Sequence, residues 1–157
     1  MLKSSKKRSV TLSLILAVVF MLLLVGCAVL LPQIVPPLVT FANTSGVIPS
    51  LIEAQAAPLL VFGYLIVATM ALADVLLVSL LVHVKDDKVF SSGSVARIRG
   101  ISWCCFALGM WFAVLGIWFQ LSLLAAVAAV FLGLCLRVVK NVIEQATAIK
   151  EENDFTV

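Results

Sequence analysis

Four long uncharged stretches dominate the chain: Val10 to Leu31, Ala57 to Ala73, Ile101 to Gln120 and Leu121 to Leu136. The basic residues obey a rule relative to them. Lys3, Lys6, Lys7 and Arg8 precede the first stretch, Lys85, Lys88, Arg97 and Arg99 lie between the second and third, and Arg137, Lys140 and Lys150 follow the fourth. The connections after the first and third stretches contain no Lys or Arg. Cytoplasmic segments of multi-pass membrane proteins hold the excess of Lys and Arg, so this alternation predicts a protein of the cell membrane with both ends and the middle connection inside.

Length and composition narrow the architecture. A spanning helix needs about 20 apolar residues for a hydrocarbon core about 30 Å thick. Four of them, with short connections, use nearly all 157 residues. With 63% of residues hydrophobic and only 12% charged, the charges are too few to solvate a globular surface. The expectation is all-α: one integral-membrane four-helix bundle, with helices at about 10–31, 58–84, 95–119 and 121–152. The net charge of +3 fits anchoring to anionic headgroups and implies no direct nucleic-acid binding. Cys27, Cys104, Cys105 and Cys135 all fall in apolar runs without CxxC spacing, so neither disulfides nor a zinc site are expected.

Local chemistry refines the boundaries. Leu24-Val25-Gly26-Cys27 resembles a lipobox, but the apolar run continues to Leu31 and favours an uncleaved helix. Pro32, Pro36 and Pro37 are expected to end that helix, because proline lacks the N–H donor and clashes with the preceding turn. The connection from 32 to 57 carries one charge, Glu53, and is expected to lie against the bundle with a short helix near Pro49 to Ala56. Asn43-Thr44-Ser45 matches a glycosylation sequon, read here as chance. Ser94 is a candidate N-cap for the third helix. The third and fourth helices are joined so tightly, around Gln120 to Ser122, that they must form an antiparallel hairpin. From Val138 onward, Val139, Val142, Ile143, Ala146 and Ile149 repeat at helical period. The fourth helix should therefore extend into the cytoplasm to about Glu152, followed by the apolar tail Phe155-Thr156-Val157.

Few residues are placed for chemistry. Asp74 is the one charge within the second apolar span, and a carboxylate at that depth is costly unless partnered. At 1.5 Å per residue it lies about 24 Å below the outer interface, and Arg137 on the fourth helix lies at about the same depth. The two are expected to form an intramembrane ion pair, either fixing helix register or serving a proton or ion pathway; an Asp74 that reaches inner-leaflet water is the third reading. His83, Asp86 and Asp87 share a helical face where a divalent metal is conceivable, but a solvated cluster with Lys85 and Lys88 is the favoured reading, so no metal or cofactor is expected. Small residues at Gly109, Ala113 and Gly116, and at Ala125, Ala129 and Gly133, predict close helix packing. Trp103, Trp111 and Trp118 read as interface anchors and packing. There is no phosphate loop, HExxH or nucleophile elbow, so an enzyme is not expected.

The second half of the chain resembles a bacterial membrane family called domain of unknown function 2975. The resemblance rests on Val89-Phe90-Ser91 with Ser94-Val95-Ala96-Arg97-Ile98-Arg99-Gly100-Ile101, on Leu136-Arg137-Val138-Val139-Lys140-Asn141-Val142-Ile143-Glu144, and on the ending from Lys150 to Val157. It covers residues 88 to 157, with Val89 standing where the family has proline. It implies a small four-helix protein of the bacterial inner membrane, often encoded beside a small helix-turn-helix regulator, and supplies no catalytic residue. Two function classes follow. One is a signalling or scaffold protein that presents a cytoplasmic surface to such a regulator, with Val142, Ile143, Ile149, Phe155 and Val157 as docking candidates. The other is a small transport or immunity protein acting within the bilayer through Asp74. A homo-oligomer stays open in both.

Overall fold

The computed structural model describes residues 2–44, 56–85, 91–117 and 119–154. They form four helices, α1 (Leu2–Thr44), α2 (Ala56–Lys85), α3 (Ser92–Leu115) and α4 (Leu121–Asp154), with no strand among the described residues. All four are long and apolar enough to cross a membrane. The architecture is an all-helical bundle of membrane-spanning length.

The end of α1 departs from expectation. Pro32, Pro36 and Pro37 lie inside the helix, which runs on to Thr44 instead of stopping at 31. Each proline removes one intrahelical N–H donor, yet a helix in lipid has no aqueous alternative and tolerates the loss when nearby groups compensate. The carbonyls left without a helical donor are those of residues 28, 32 and 33; the Thr40 hydroxyl makes a further bond one turn on, donating to the Pro36 carbonyl at 3.1 Å. Beyond the prolines, Val39 and Leu59 are buried together, with Val35, Leu115 and Phe119 packed against them. This packing holds the segment past the prolines in helical register and overrides the local stop. Glu53 and the short helix expected near 49–56 lie outside the described residues.

The start of α3 differs by three residues. Ser91, not Ser94, is the N-cap: its backbone is extended (φ −141°, ψ 150°) and its side chain accepts from the Ser94 N–H at 3.3 Å. Ser94 is then the third helical residue, fully buried, with its hydroxyl 3.2 Å from that of Ser91. The first of several serines able to satisfy an orphan N–H takes the cap, and the chain after it is already helical.

A tight turn joins α3 to α4, as their short connection requires. The Gly116 N–H donates to the Phe112 carbonyl at 2.9 Å and the Ser122 N–H to the Phe119 carbonyl at 2.9 Å. The Ser122 hydroxyl caps the Phe119 carbonyl at 2.7 Å. A Cβ at position 116 would stand 2.4 Å from Leu123 Cδ2 and 2.7 Å from its Cγ, so Leu123 of α4 packs directly on the glycine backbone.

The helix backbones approach only in chain order: α1 with α2, α2 with α3, and α3 with α4. The pairs are antiparallel, since Leu31 meets Gly63, Leu76 meets Gly100, and Val130 meets Gly109. The outer surface is apolar along its length, with Leu22, Val29, Leu124 and Val127 all exposed, as lipid contact requires.

Candidate functional site

The polar groups of the bundle gather at its basic end, between α3 and α4. Arg99, Ser102 and Trp103 are spaced i, i+3, i+4 on α3, and Arg137, Lys140 and Asn141 are spaced the same way on α4. That spacing puts each trio on one helical face. The faces oppose each other across a cleft of about 280 Å³. Sequence reasoning noted Arg99, Trp103, Arg137, Lys140 and Asn141 separately and missed Ser102; the repeated spacing was the available signal that they act together.

Each wall has a distinct role. The guanidinium of Arg137 lies 5.1 Å from the centre of the Trp103 ring and 5.5 Å from that of Phe106. The two rings meet edge to face, 6.2 Å apart at 71°. The two rings hold the cation through their faces, and Arg137 is exposed beside them. Glu144 pairs with Lys140 one turn earlier and reaches Arg99 at 3.7 Å. Arg99 and Glu144 are more than half exposed, so their pair is weak on its own. Lys140 also donates to the Asn141 side-chain carbonyl at 3.3 Å. Buried Ser102 donates to the Gly133 carbonyl at 2.8 Å and ties the two helices together below the charges.

Close approach at this interface rests on small residues. A Cβ at Gly133 would meet Cys105 Cβ at 3.2 Å and the Phe106 ring at 3.3 Å, and one at Gly109 would meet Val130 at 2.6 Å. Ala126 is the buried alanine of α4, whereas Ala125 and Ala129 are half-buried and Ala113 is exposed. Residues four apart drift about 40° around a helix, while residues seven apart drift only about 20°. Ala126 and Gly133 therefore share the contact face better than a strict every-fourth row.

The structure does not bring Asp74 and Arg137 together. Among the described residues α3 stands between α2 and α4, whose backbones do not approach each other. Asp74 is 4% exposed, and its Oδ2 has no hydrogen-bond partner among the described residues. The arginine that reaches α2 is Arg97, whose Nε donates to the Ser79 hydroxyl at 2.7 Å. His83 sits against the Ser79 carbonyl at 3.1 Å, while Asp86, Asp87 and Lys88 lie outside the described residues. Among the described residues no three metal-ligating side chains cluster, and all four cysteines are free. Trp103 is 59% exposed and Trp111 packs on Phe62 at 6.0 Å, while Trp118 is outside the described residues.

Past the cleft, α4 continues unbroken to Asp154. Val138, Val139, Val142 and Ile149 are exposed, but Ile143 and Ala146 are half-buried and Thr147 is buried. The apolar stripe expected as one face is thus divided between a covered side and a free side. Phe155 and Val157 lie outside the described residues.

These features define a multi-pass helical membrane protein whose polar groups concentrate at one end of its last two helices. The chain belongs to the family described as Protein of unknown function (DUF2975), whose model matches residues 40–157 and so reaches well upstream of the resemblance seen from residue 88. No curated protein and no solved structure matches it at a significant level.

Proposed function

We propose that this protein is a non-enzymatic signalling or scaffold protein of the cell membrane, with both termini in the cytoplasm. In this reading its working surface is the basic end of α3 and α4. The observation that supports it is the length of α4, more than a membrane crossing needs, together with an exposed apolar stripe. Its 34 residues span about 51 Å at 1.5 Å each, against a hydrocarbon core of about 30 Å. After Gly133 the helix contains neither proline nor glycine. A helix with no cause for a kink does not bend over onto the bilayer surface. Counted from Leu121, the core ends near residue 141, so Val142 and Ile149 lie at or beyond its edge on one side of a rigid projection, and a protein groove that takes a helix face is the natural cover. The partner class suggested by the family resemblance is a small helix-turn-helix regulator.

The test is co-expression of the full chain with the regulator encoded beside it, followed by membrane isolation. The full chain should retain the regulator, and deletion of residues 145–157, or Val142→Asp with Ile149→Asp, should release it while insertion is unchanged. Equal retention by the variants sinks the reading. A second reading, transport or immunity within the bilayer, is favoured by the unpartnered oxygen of buried Asp74. It requires that Asp74→Asn abolish activity in cells while the deletion of 145–157 does not.

A further inference from the structure

A second hollow lies directly along the helices from the basic cleft. It is an apolar groove of about 600 Å³ between α3 and α4. It opens because α3 contributes only Gly109 and Ala113 to its lining. The two hollows are related by helical repeat. Val130 and Leu123, in the groove, stand seven and fourteen residues before Arg137, in the cleft. Leu134 and Val127 stand seven and fourteen before Asn141, and Ala113 stands fourteen after Arg99. Seven residues are two turns with a drift of only about 20°, so cleft and groove open on the same side of the helix pair.

We propose that these two aligned hollows bind one anionic phospholipid, its phosphate in the cleft and an acyl chain in the groove. The dimensions fit. Arg137 to Val127 covers about 15 Å at 1.5 Å per residue, and one leaflet is about half of a 30 Å core, so a chain anchored in the cleft fills the groove as far as Val127. The charges fit as well. Arg99, Arg137 and Lys140 face Glu144 alone among the described carboxylates, which leaves two positive charges uncompensated. Arg137 has no carboxylate within ion-pair reach among the described residues, and a guanidinium is the planar fork that matches phosphate oxygens. Trp103, exposed beside it, sits at the headgroup level where an aromatic ring prefers to lie. Basic pockets between membrane helices are recognised headgroup sites. This proposal does not depend on whether the projecting end of α4 has a protein partner.

The experiment is native mass spectrometry of the full-length protein in detergent, with phosphatidylglycerol and phosphatidylcholine of identical acyl chains. One phosphatidylglycerol per chain should be retained, with phosphatidylcholine at least about tenfold weaker, a difference worth about 1.4 kcal/mol. Arg137→Gln with Lys140→Gln should lower phosphatidylglycerol retention by about tenfold or more. Asn141→Asp, at an exposed position, tests the same charge should the double variant fail to fold, and should also weaken retention. Ala113→Phe fills the groove and should weaken the intact lipid too. Lys85→Gln, a charge outside the cleft, should change nothing. Equal retention of the two lipids overturns the proposal, as does a loss in Lys85→Gln as large as in the cleft variants. Competition by glycerol 3-phosphate at the same concentration as intact lipid would assign the cleft to free phosphate esters and remove the lipid. A dimer dissolved by Ala113→Phe, with no lipid bound, would assign the groove to a second copy and overturn it equally.

Discussion

The α1–α2 pair and the α3–α4 pair are both antiparallel and both apolar, yet they are held by different means. In α1–α2 the close contacts involve the ends of adaptable side chains: a Cβ at Gly63 would meet only Leu31, whose Cδ2 would lie at 2.5 Å. At Gly26 nothing lies within 4 Å. In α3–α4, by contrast, Gly109 faces the stiff Val130 side chain and the Ala126 carbonyl at 3.3 Å, Gly133 faces Cys105 Cβ at 3.2 Å, and Ser102 bonds across to the Gly133 carbonyl. Lipid tails are as apolar as leucine, so hydrophobicity alone does not hold spanning helices together. Close packing and polar bonds across the interface do, and both concentrate in the pair that also carries the charges. A site whose geometry must be kept is built on the rigid half.

The largest effect that breaks this comparison is expected at the glycines. Gly109→Leu and Gly116→Leu should each cost about 1–3 kcal/mol by overpacking, seen as a lowered melting temperature in detergent. Gly26→Leu, in open space on α1, should cost nearly nothing. Gly63→Leu, against the end of Leu31, should cost less than Gly109→Leu, and equal losses at Gly63 and Gly109 would show that the two halves are held alike.

A smaller effect sharpens the comparison. Asp74 and Arg137 belong to different pairs, and sites with no shared partner add within about 0.3–0.5 kcal/mol. Asp74→Asn and Arg137→Gln should therefore be additive in the same melting assay. A double variant that recovers stability would place the two side chains in contact and contradict the helix order described above.

Much of the fold was legible because a membrane imposes few and strong rules. The hydrocarbon thickness sets helix length, and water sets where Lys and Arg stand, so four helices with charged connections follow from the sequence. What failed was lateral or tertiary. The prolines at 32, 36 and 37 read as a stop because the Val39–Leu59 packing beyond them has no local signature. The Asp74–Arg137 pair was drawn from depth, which says nothing about which helix stands between two others. The contact face of α4 was placed one residue away from Ala126 because a row of every fourth residue winds around the helix. The cleft was partly legible, since Arg99, Ser102 and Trp103 repeat the spacing of Arg137, Lys140 and Asn141. Their meeting depended on the hairpin register, which Gly116 and Ser122 set.

The central claim is that the apolar stripe of α4 clears the membrane on the cytoplasmic side. It is tested most directly by a membrane-impermeant maleimide on two single-cysteine chains, Leu124→Cys and Ile149→Cys, with Cys27, Cys104, Cys105 and Cys135 replaced by alanine. Both positions lie on the exposed face of one unbroken helix. Ile149→Cys is expected to react in inside-out vesicles and not in intact cells, and Leu124→Cys, within the hydrocarbon, is expected to react in neither. Labelling of Ile149→Cys in intact cells, or its protection on both sides, would contradict the account.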